Sequence, residues 1–82
     1  MIVLQQIKVL PGGSNFIIKD EGRTELQGFI SKDDHSVGFL TAYEADKYNK
    51  VYSTFKVLEL KAVLGCKVNG HQEIDYIITV RW

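Results

Sequence analysis

Residues 66–73, CKVNGHQE, bring a thiol, an ammonium and an imidazole close together in the chain. A nucleophilic Cys66 needs a base or a positive field at its sulfur to lower the thiol pKa, and Lys67 and His71 are the groups at hand. Strand register decides whether they reach it. Leu58, Leu60, Ala62, Leu64 and Cys66 form one alternating apolar series, and Ile74, Tyr76, Ile78, Val80 and Trp82 form another. A two-residue loop Asn69-Gly70 would set Leu64 against Asp75. A three-residue loop Val68-Asn69-Gly70 sets Leu64 against Ile74, Ala62 against Tyr76, Leu60 against Ile78 and Leu58 against Val80, which keeps one face dry. In that register Lys67 faces His71 and the thiol points to the other side. Cys66 is therefore expected as core filler beside an exposed turn.

Two further stretches invite chemistry and do not sustain it. Asp33, Asp34 and His35 are consecutive, so they do not converge on one ion, and no second group at fixed spacing completes a shell. They read as a solvated loop. PGGS at 11–14 resembles a phosphate cradle, but such cradles draw their field from a following helix, and NFIIKD after it reads as strand. No catalytic residue, metal ligand or cofactor site is assigned, and a non-enzyme is expected, because no titratable groups converge.

The segment YEADKYNKVYSTFK, 43–56, holds three Tyr, one Phe and three Lys. Flat rings interleaved with cations suit single-stranded nucleic acid, with Tyr43, Lys47, Lys50 and Lys56 as the contacts. From residue 44 to 67 five lysines stand against three carboxylates, a local net of +2. The competing reading is a helix whose buried stripe is Ala45, Tyr48, Tyr52 and Phe55, and the spacing favours it.

These residues need elements to position them. TAYE is a capping box, Thr41 with Glu44, and opens a helix over 42–53; Asp46 and Lys50 pair four apart along it. Before the helix, strands are expected over 2–10, 15–19, 24–31 and 37–40. Pro11-Gly12 makes a type II turn, and a three-residue loop Asp20-Glu21-Gly22 sets Phe16 opposite Leu26 and Ile18 opposite Thr24. After the helix comes the long closing hairpin. The expected fold is α+β in one domain, 1–82: a small curved antiparallel sheet, or a partly closed β-barrel of five to six strands, with one helix before a long C-terminal hairpin. This element order is similar to that of an oligonucleotide-binding barrel.

The chain has 82 residues, room for one thin core. Its single cysteine supplies no internal disulfide and no zinc spacing, which points to a reducing, cytoplasmic setting. The start lacks a basic leader and a small-residue cleavage signal, and no apolar run is long enough for a membrane helix. Ten basic and ten acidic residues give zero formal charge. That balance argues against binding duplex nucleic acid through phosphates and leaves self-association unopposed. The leading expectation is a protein–protein interaction module, acting through a sheet edge or the outer face of the hairpin. Its partner is another protein or a second copy, in a homodimer. Val57, Lys61, Val63 and Ile77 on the nominally polar face, with Trp82, are the expected contacts. Single-stranded nucleic acid is the alternative partner.

Overall fold

The computed structural model describes residues 1–81, with the backbone alone at Cys66, Val68 and His71. Trp82 lies outside the described residues, as do the directions of the Cys66 and His71 side chains. In chain order the elements are helix α1 (Val3–Lys8), strands β1 (Asn15–Asp20), β2 (Arg23–Ile30) and β3 (Val37–Phe39), helix α2 (Ala42–Lys50), a 3₁₀ turn (Tyr52–Thr54), and strands β4 (Lys56–Val68) and β5 (His71–Arg81). The fold is mixed α+β.

The five strands form one open sheet in the order β3-β2-β1-β5-β4. Two hairpins, β1–β2 and β4–β5, are joined through a parallel β1–β5 pair in which Ile17 meets Ile77 and Ile18 meets Ile78. The barrel and the OB-like arrangement are thereby corrected: β3 and β4 are separate edges, and the central pair is parallel where hairpin order alone implies antiparallel. Nothing local marks that pairing. It arises because the helical crossover carries the last hairpin back beside β1.

The expected first strand is also corrected. Residues 3–8 are helical, and Val3, Ile7 and Leu10, spaced four and three apart, are all buried. That spacing makes a single helix stripe and no strand face. The N-cap residue, Ile2, has no side-chain acceptor, and Gln5 accepts from the Ile2 amide at 3.4 Å, the return bond of a capping box. The following turn runs Pro11 to Ser14, with Gly13 rather than Gly12 in the left-handed region.

Both helices lie on one side of the sheet. Their apolar residues, with Tyr48 and Tyr52, pack on Phe16, Ile18, Leu26, Ile30, Ile78 and Val80 to make the core. Thr41 caps α2 by accepting from the Glu44 amide at 3.2 Å, and Asp46 and Lys50 pair at 3.3 Å. Glu44 does not return to the Thr41 amide; its carboxylate accepts from the Gln27 amide instead, at 3.4 Å. The helix ends at Lys50 and the 3₁₀ turn carries Tyr52 into the core. Tyr48 Oη is buried without a hydrogen-bond partner among the described residues, and burial pushes this phenol's pKa up. Such an orphaned hydroxyl costs about 1–3 kcal/mol.

Both hairpins turn differently from expectation, and alike. Glu21-Gly22 and Asn69-Gly70 are two-residue turns with positive φ at both positions, 51° and 80° in the first, 51° and 82° in the second. Two-residue turns of this hand match strand twist. Each is followed by two pairs and then a bulge. In the first hairpin the expected pairs are corrected: the bulge after Lys19↔Thr24 sets Ile18, not Phe16, against Leu26, and Phe16 against Gly28. In the second, Val68 pairs with His71 and Lys67 with Gln72, and a bulge then restores Leu64↔Ile74, Ala62↔Tyr76 and Leu60↔Ile78. The short turn and the even-to-even register, alternatives in the sequence, coexist because one extra residue on β4 reconciles them.

Candidate interaction surface

β4 is a 13-residue edge strand bonded to β5 on one side. Residues 1–3 hold the start of its other side. Ile2 bridges Lys56, the Val3 amide donates to the Phe55 carbonyl, and the Val57 amide donates to the Met1 carbonyl, both at 2.9 Å. Beyond Val57 no strand pairs with that side among the described residues. Bulges at 57/59 and 64/67 bracket a straight run, residues 59–64. Exposed edges invite another strand, and bulges and lysines blunt them; here the blunting spares the middle.

The hairpin outgrows the layer behind it. β1 has six residues and backs β5 only from Asp75 to Val80. On the helix side of the sheet Ile78 and Val80 are therefore buried, while Ile74 is 41% exposed, Leu60 39% and Leu64 78%. Leu58, at the first bulge, is 58% exposed. The apolar face expected to be dry is dry only where β1 and the helices reach.

Among the described residues the other side of the sheet has no covering layer. One row across it runs Lys61, Ile77, Ile17, Gln27; the next runs Val63, Asp75, Asn15, Phe29, Gly38. Asn15 Nδ2 donates to Glu73 Oε2 at 2.8 Å and to Asp75 Oδ1 at 3.3 Å, holding two carboxylates side by side. They end a shallow groove of about 260 Å³ lined also by Ile17, Phe29 and Leu40. The Asp75 carboxylate lies over Gly65 of the edge strand: a Cβ there would sit 3.0 Å from both oxygens.

Of the expected contacts, Lys61 and Ile77 are opposite each other, and Val63 is on the same open side. Val57 is not with them. The extra residue at Leu58 sets Val57 opposite Val80 and packs it against the core. The exposed leucines of β4 were missed as contacts. A strand this long closing a sheet with short partners was the signal available.

No family model, no curated protein and no solved structure matches this chain. The surface must speak for itself.

The Tyr/Lys segment is largely engaged within the fold. Tyr48 and Tyr52 belong to the core. Lys47 pairs with Glu25 at 3.1 Å, a hydrogen bond that raises the ammonium pKa, and its Nζ lies 5.6 Å from the Tyr52 ring centre. Tyr52 is shifted upward too, mainly by burial. Lys50 pairs with Asp46. Tyr43 and Lys56 are exposed. In the DDH loop, hydrogen bonds from the Ser36 hydroxyl and amide hold Asp34 below the ordinary carboxylate range. Among the described residues no helix is long and apolar enough to cross a membrane.

Proposed function

We propose that the protein is a small non-enzymatic binding module of the cytoplasm that takes up another polypeptide strand along the free edge of β4. The observation that carries this is the straight run 59–64, unpaired on its outer side among the described residues, carrying exposed Leu60 and Leu64 and preceded by exposed Leu58. In strand addition main-chain hydrogen bonds supply affinity, and alternate side chains supply specificity. On this edge Leu60 and Leu64 meet the incoming strand on one side of the sheet, and Lys61 and Val63 meet it on the other.

The test is cross-linking through the exposed lysines 61 and 67 in an extract of cells that make the protein. Links from Lys61 to a second polypeptide are expected with the wild type. They should fall at least about 100-fold with Leu60→Asp/Leu64→Asp, since each leucine buried in a contact contributes roughly 1.5–3 kcal/mol. The double variant should melt like the wild type, because both side chains are exposed. Links confined to the chain itself, or unchanged by the substitutions, would contradict the reading.

A further inference from the structure

The edge reading leaves its occupant open, and the charges beside the edge narrow it. We infer that the strand added to β4 is β4 of a second copy, paired antiparallel about a two-fold axis at Val63, with Lys61 of each copy on the Asp75 carboxylate of the other. This rests on the docking role of the edge argued above.

A two-fold axis normal to the sheet keeps the helices of both copies on one side, so residues of like parity must meet across the junction. That leaves few registers. Centring the pair on Leu60 drives residues 63–64 into residues 1–3 of the second copy, which occupy its edge at 55–57. Centring it on Lys61 sets two ammonium groups directly opposite each other, which is unfavourable. Centring it on Ala62 brings Glu59 onto Gly65 of the second copy, beneath the Asp75 carboxylate, again a like-charge contact. Centring it on Val63 avoids both like-charge contacts and brings only the Asn69-Gly70 turn, not a length of strand, up to residues 1–3 of the second copy. Lys61 then lies opposite Gly65, about 4.8 Å away across the strands, where the absence of a side chain leaves the Asp75 carboxylate lying over the backbone. Val63 meets Val63 on the open side. Leu64, 78% exposed in the single chain, meets Ala62 on the helix side.

The charges fit this arrangement. Neither Lys61 nor Asp75 makes an ion pair among the described residues. Asn15 holds the Asp75 carboxylate through one oxygen, Oδ1, so acceptor capacity remains for an ammonium. A chain with zero net charge does not repel its copy at long range.

The experiment is sedimentation of the purified protein over a concentration series up to roughly 1 mM. The wild type should dimerise. Lys61→Glu places two acids together at each end of the junction, and Asp75→Lys places two cations there. Either change should weaken dimerisation by on the order of 30-fold, with two ion pairs reversed in each case. Mixing the two variants should restore a dimer, because the heterodimer regains both attractions. Asp75→Asn, which keeps the shape of the side chain, should weaken the dimer by a smaller factor. Recovery on mixing also excludes misfolding as the cause of the loss. A wild type that stays monomeric throughout would overturn the second-copy occupant, while Lys61 cross-links to a different polypeptide in the extract would leave the edge reading standing. A dimer indifferent to both charge reversals would overturn the register, and a dimer lost in both variants but not recovered on mixing would do so too.

Discussion

Gly28→Val should cost about 3 kcal/mol and lower the melting temperature by roughly 15 °C, even though it adds only apolar atoms. Gly28 lies between Phe16 on β1 and Phe39 on β3 in one row of the sheet. The two rings meet over it edge to face, with centres 5.7 Å apart, and Phe39 continues to Tyr48 on α2 at 5.1 Å. A Cβ at Gly28 would run into the Phe16 ring and come within 2.8 Å of the Gly38 carbonyl oxygen. Phe16 is fully buried. Lost ring contacts add to the overpacking strain. Gly22→Ala is the control. Nothing lies within 4 Å of its Cβ, so the cost there is confined to the backbone strain of φ +80°, about 1 kcal/mol. Thermal unfolding of the two variants should differ sharply. Equal melting temperatures would contradict the packing described for β1, β2 and β3.

The second large effect concerns the N-terminal segment. Ile7→Asp should leave the chain unfolded or nearly so, and Val9→Asp should be almost neutral. Ile7 is 1% exposed within the core, where an unpaired carboxylate costs several kcal/mol, and Val9 is 67% exposed just past the end of α1. In a strand these residues, two apart, would share a face and respond together; in a helix they diverge. Urea unfolding of the pair decides between the two. Similar midpoints would restore the strand and remove α1 from the fold.

What the sequence made legible follows the range over which its signals act. The Thr41 cap, the Tyr48 and Tyr52 stripe and the Asp46–Lys50 pair are contacts within one or two turns, and all are present. The pairs Leu64↔Ile74, Ala62↔Tyr76 and Leu60↔Ile78 followed from apolar matching alone. At the turns this logic was incomplete. Parity demanded an even register while Asn69-Gly70 favoured a two-residue turn, and a bulge satisfies both. The bulge at Leu58 similarly moved Val57 to the core side, although Lys61 and Val63 stayed on the open side as expected. α1 was hidden because its residues are largely β-branched and polar and its N-cap, Ile2, has no side-chain acceptor. The β1–β5 pairing joins segments some sixty residues apart and leaves no local trace. Without that pairing, the length mismatch that exposes Leu60, Leu64 and Ile74 could not be seen.

The claim that the outer side of β4 is a docking edge is tested most directly by amide hydrogen exchange, residue by residue, in dilute and in concentrated protein. In the dilute sample the amides of residues 59–64 that point away from β5 should exchange quickly, while those bonded to β5, and the Val57 amide held by Met1, stay protected. Raising the concentration should slow the fast set on β4 and leave the free side of β3 unchanged. Fast-exchanging β4 amides that keep their rate while β3 or the helices gain protection would place association elsewhere. Protection of all β4 amides even at high dilution would mean that the edge is not free.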